Sequence, residues 1–134
     1  MSNKKLDQLI LQLENYIEVW KQFNNYIGMA RGKKFLPEDE TQFLEVKSVI
    51  AQELEMILAV IESGTPTKED VHTLIGSAPS IRYMSELPEG SLRAIENQWH
   101  KAFIAWQSIL GQLKVQQRAD EGKGFFSNLF GKKS

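Results

Sequence analysis

The chain contains no cysteine, which excludes disulfides, thiolate nucleophiles and zinc–thiolate sites together. A reducing compartment, the cytoplasm, is the expected setting. Long apolar runs are missing as well: nothing approaches the stretch of about eighteen apolar residues that spans a bilayer as a helix. The opening MSNKKLDQLILQLENY interrupts its apolar residues with Asp7, Gln8, Gln12 and Glu14, unlike the continuous core of a secretory signal. Neither sign of charge dominates. Sixteen Lys and Arg against seventeen Asp and Glu leave a formal net charge of -1, so no global basic face is available for phosphate, and nucleic acid is not an expected partner. Also absent are a G-x-S-x-G turn, a glycine-rich phosphate cradle and an H-E-x-x-H pair, the short signatures of common catalytic sites. The reading is therefore non-enzymatic.

What is present is sufficient for a fold. At 134 residues, 42% hydrophobic and 25% charged, the chain can bury about two thirds of its unfolded surface without metal or disulfide. Leu6, Leu9, Leu13, Tyr16, Trp20, Phe23 and Ile27 alternate steps of three and four, a heptad seam that Ile10 and Ile17 widen into the stripe of a bundle helix. Gly28 or Gly32 is expected to supply the positive φ that ends this helix. A second helix starts at Pro37, with Glu38, Asp39 and Glu40 complementing the positive end of its dipole. It runs on Phe43, Val46, Ile50, Leu54, Ile57 and Ile61 to a stop at Ser63-Gly64. Thr67 and Asp70 have the spacing of a capping box and open a short helix ending near Gly76. SIRYMSEL, between Pro79 and Pro88, fits a single turn of helix in a longer connection. The last helix repeats the seam on Leu92, Ile95, Trp99, Ala102, Trp106, Ile109 and Leu113.

No segment alternates with period two. The expected fold is all-α, a helical bundle of three long helices plus one or two short helices in a crossover connection, in coiled-coil-like packing and compatible with a homo-dimer. The bundle is expected over residues 1–118, a polar linker over 119–124 and a short amphipathic tail over 125–134.

That tail is the sharpest functional signal. In GFFSNLFGKKS, Phe125, Phe126, Leu129 and Phe130 occupy positions i, i+1, i+4 and i+5, one face of a short helix, with Lys123, Lys132 and Lys133 around it. An aromatic and aliphatic face with flanking cations is the composition of an interfacial membrane helix, and the ending resembles the membrane-touching termini of some bacterial peripheral proteins. The same face suits the apolar groove of a protein partner, or its own bundle. A basic trio, Arg31, Lys33 and Lys34, between the first two helices suits anionic headgroups. Expected partners are thus a protein or an anionic membrane surface, with no cofactor. The competing reading is a bundle that holds a small ligand or metal in a Trp-lined groove with Glu69 and His72, the E-x-x-H spacing used twice over by di-iron carboxylate bundles. Its weakness is the ligand count: His100, the only other histidine, has Glu96 four residues upstream instead of three.

Overall fold

The computed structural model describes residues 4–61 and 64–130, the last nine of these as backbone only. Among the described residues there are five helices and no strand: α1 (Lys4–Gly32), α2 (Pro37–Leu58), α3 (Lys68–Ser77), α4 (Ile81–Ser85) and α5 (Glu89–Phe130).

The ends of the helices are set by local chemistry. α1 does not stop at either expected glycine. Its helix passes through Gly28 and Gly32, and Lys33 takes the left-handed conformation at φ 54°. The amides of Lys33 and Lys34 turn back to Ala30 O at 3.1 Å and Met29 O at 3.2 Å. This double closure satisfies the last carbonyls whichever residue type sits at the turn, so a lysine accepts the modest cost of positive φ. α2 begins at Pro37, where the Leu36 amide donates to Asp39 Oδ2 at 2.7 Å. It ends at Leu58, one turn short of the expected stop, while the positive φ of 80° falls at Gly64 as a loop conformation. Thr67 and Asp70 form the expected reciprocal cap of α3, both bonds at 3.0 Å.

Aromatic contacts fix how the long elements pass one another. Phe43 of α2 lies 5.2 Å from both Phe23 and Tyr26 of α1, and the buried Tyr16 hydroxyl donates to Ile50 O at 2.9 Å, so α1 and α2 are antiparallel. α5 returns antiparallel to α1: Trp99 Nε1 donates to Trp20 O at 2.8 Å, Tyr16 meets Trp106 edge-on at 5.3 Å, and Gln117 donates to Asp7 at 2.8 Å. Between α2 and α5 the chain climbs back beside α2. Lys68 pairs with Glu55 near the end of α2, and the amides of Ile81 and Arg82 donate to Glu40 near its start. Lys47 closes the break between α3 and α4, donating to Ala78 O and Pro79 O at 3.0 and 2.9 Å while lying over the Phe43 ring. Burial lowers the pKa of this ammonium, as expected for a cation used inside the fold.

The three tryptophans fill the core. Trp20 and Trp106 are fully buried and Trp99 nearly so. The indole N–H groups of Trp20 and Trp106 have no acceptor within bonding geometry among the described residues, a cost of about 1–3 kcal/mol each that their large buried aromatic faces must outweigh. Tyr16 sits among them, and burial raises its pKa, so it remains a neutral hydroxyl.

Two expectations follow. Trp106→Ala should destabilise the fold by about 3–5 kcal/mol in urea denaturation, whereas Leu11→Ala, at an exposed position, should change it by no more than about 0.5 kcal/mol. Lys47→Met keeps the apolar stem and removes the two bonds to the α3–α4 break, and should cost about 1–3 kcal/mol in the same assay.

Candidate interaction surface

The antiparallel register of α1 and α5 determines where α5 goes next. Gln117 is opposite Asp7 and the first described residue of α1 is Lys4, so α5 passes that point near Glu121 and continues helical to Phe130. At 1.5 Å per residue these nine further residues carry the helix about 14 Å beyond Lys4. The segment 119–124, expected as a polar linker, has helical backbone. Its composition accounts for this: Ala119, Glu121 and Lys123 are good helix formers, and Gly122 and Gly124 cost only about 1 kcal/mol each. The side chains of Phe125, Phe126, Leu129 and Phe130 lie outside the described residues, as do Lys132 and Lys133 altogether. Helical backbone over 125–130 nonetheless supplies the geometry in which positions i, i+1, i+4 and i+5 share one face.

Of the basic trio, Arg31 is engaged within the fold. The Arg31 guanidinium grips Glu96 in a fork at 3.0 and 3.1 Å and reaches Glu89 at 3.2 Å, tying the end of α1 to the start of α5. The hydrogen bond from Arg31 holds the Glu96 carboxyl below its ordinary value, and the same bond raises Arg31. Lys33 and Lys34 are exposed and form no ion pair among the described residues.

Glu69 and His72 are both exposed on α3. No group of three His, Asp or Glu positioned to hold a metal occurs among the described residues. His100 lies beside the Trp99 ring, with centroids 6.2 Å apart. None of the three tryptophans borders a cleft described here.

Clefts do exist, in apolar rather than tryptophan-lined places. One, about 530 Å³, is bounded by Leu9 of α1, Val60 and Ile61 after α2, and Ile104, Ile109 and Leu113 of α5, with Lys101, Ser108 and Gln112 at its edges. A second, about 310 Å³, adjoins it between α3 and α5 and shares Thr65, Lys101 and Ala105 with it. Val60 and Ile104 are 63% and 53% exposed, so apolar side chains stand open at this cleft beside the polar Thr65, Lys101, Ser108 and Gln112. Leu9, Ile61, Ile109 and Leu113 are seam positions, whereas Ile104 falls off the seam and Val60 lies past the end of α2, so periodicity alone does not reveal the cleft. Glu40 and Lys47 escape a heptad reading too, although a lone lysine seven residues after a glutamate in an acidic helix is a legible signal. No helix is long and apolar enough to cross a membrane among the described residues.

The Arg31–Glu96 pair generates a pH expectation. Glu96 has a depressed pKa in the folded protein, so its contribution to stability is present above its ordinary value of 4.5 and is lost as pH falls through the depressed value. Glu96→Gln should cost under about 1 kcal/mol at neutral pH, given the exposure of both partners. It should also show a shallower loss of Tm than the unchanged protein on acidification below about pH 4.5.

No family model matches the chain, and no curated protein or solved structure matches it either.

Proposed function

We propose that this is a non-enzymatic helical interaction protein. Its three longer helices, with the α3–α4 connection, act as a scaffold, and the end of α5 is the element that touches a partner's apolar groove or an anionic membrane surface. The observation that carries this reading is the unbroken helical backbone of α5 as far as Phe130, nine residues past the level of Lys4. Helical backbone puts the positions of the tail's apolar residues on one face, and register with α1 carries that part of α5 past the level of Lys4. Lys123, Lys132 and Lys133 add about 1 kcal/mol each near an anionic surface. Partial burial of three phenylalanines and a leucine adds a fraction of about 1.5–3 kcal/mol apiece. The cytoplasm remains the proposed setting.

The ligand or metal reading through Glu69 and His72 draws no support from the fold, since the tryptophans it needs are committed to the core.

The test is a chain ending at Glu121. The full chain should cosediment with phosphatidylserine-containing vesicles, or self-associate in sedimentation velocity, and the shortened chain should do neither while keeping its helical circular dichroism. Equal behaviour of the two chains in both measurements would exclude the end of α5 as the contact element.

A further inference from the structure

One face of α5 forms a wall of the larger cleft and of its neighbour. From Lys101 through Ile104, Ala105, Ser108 and Ile109 to Leu113 the bordering positions keep the three-and-four spacing of a single helix face. At 1.5 Å per residue this wall is about 18 Å long. Its character changes along that length. Asp7 meets Gln117, and Tyr16 is level with Ile50, so Leu9 and Ile61 stand toward the Leu113 end and make it apolar. At the other end Lys101 and Thr65 mark the junction with the adjoining cleft, whose border adds the polar Gln98, Thr73 and Asp70.

We propose that this trough binds one long-chain fatty acid, with the carboxylate at Lys101 and the hydrocarbon running along α5 toward Leu9 and Leu113. No residue of the site lies beyond Leu113, so the site does not depend on the end of α5 and adds a second function to the bundle itself. Charge favours an anion at the polar end. Lys101 is exposed and makes no ion pair among the described residues. Asp70 is the carboxylate that senses it: two hydrogen bonds with Thr67, and after them the Lys101 charge, lower the Asp70 pKa. The Oδ2 atom of Asp70 is spent on the Thr67 amide, which leaves the Lys101 ammonium with donors open to an incoming carboxylate.

Size selects a chain-like ligand over a partner helix. A helix about 18 Å long and about 10 Å across fills about 1,400 Å³, against about 530 Å³ in the cleft, so it would stand mostly outside. A single acyl chain is thin enough to lie within and covers the exposed Val60 and Ile104. The exposed Ser108 and Gln112 interrupt the apolar border, which makes the contact a narrow strip rather than a broad face. A strip with one cation at its end matches a molecule that is apolar along its length and anionic at one tip.

Equilibrium dialysis of the full chain against radiolabelled laurate, below its micelle concentration, tests the proposal. One molecule should bind per chain, and affinity should rise from octanoate through laurate to myristate as more of the wall is covered. Val60→Glu and Ile104→Glu, both at exposed positions, should weaken binding at least about tenfold by setting a charge against the hydrocarbon. Lys101→Met should weaken it about threefold to fivefold, the range of an exposed ion pair. Asp70→Asn, which keeps an acceptor for the Thr67 amide, should tighten it. Circular dichroism checks that each variant is folded, and Lys101→Met changes no buried position. No binding by the full chain overturns the proposal, as do many molecules per chain, indifference to both glutamate substitutions, or equal binding of dodecyltrimethylammonium, a cation on the same length of hydrocarbon. The chain ending at Glu121 should bind laurate as the full chain does. If only the full chain binds it, the ligand sits on the α5 end and the site falls. If both chains bind laurate alike while vesicle binding and self-association do not need residues beyond Glu121, the reading of the α5 end falls and the fatty-acid site stands.

Discussion

The edge-on contact of Tyr16 with Trp106, backed by Trp20 and by the bond from Trp99 to the Trp20 carbonyl, fixes the register between α1 and α5. Everything distinctive about the molecule depends on it. Large rings fit one another in few arrangements, so a slip of one turn would break the ring contacts and leave the Trp99 indole N–H without its partner. With the register set, Arg31 reaches Glu89 and Glu96 at one end, and Gln117 meets Asp7 at the other. The projection of α5 past α1 is then a matter of length alone. A core interaction thereby determines how much of α5 lies beyond the level of Lys4.

α2 plays a complementary part. Its outer face carries Glu40 and Lys47, seven residues apart and therefore stacked on one side of the helix. Glu40 accepts from the amides that open α4 and Lys47 donates to the carbonyls that follow α3. The break between these short helices has exposed peptide groups of both kinds, and one helix supplies a partner of the right sign for each. This clamp keeps α3 beside α5 and so gives the adjoining cleft its second wall.

The seams were legible in the sequence because heptad spacing states directly which residues face inward. Tyr16, Trp20, Phe43, Ile50 and Trp106 are all buried where periodicity places them, and the Thr67–Asp70 cap was equally readable. The end of α1 was not. Glycine is the usual residue at a left-handed C-terminal turn, but the closing bonds to Met29 and Ala30 are made by backbone, and Lys33 serves. Residues 119–124 show a related effect: polarity with two glycines reads as a spacer, while helical backbone continues through it because the preceding seam already has the helix nucleated. Arg31 illustrates a third limit. Three nearby positive charges in sequence say nothing about carboxylates fifty or more residues away, and Glu96 claims the arginine.

Magnitudes decide what the end of α5 can do by itself. Association of two proteins costs about 4–15 kcal/mol in lost translational and rotational freedom. A single apolar segment, half buried, returns only a few kcal/mol, so a lone tail in a lone groove is marginal. A two-fold arrangement makes the same contact twice against one such cost, and the second contact forms at high effective concentration. An anionic bilayer offers the competing solution, since it buries the apolar face and attracts the lysines together. The same four apolar side chains cannot occupy a groove and a bilayer at once.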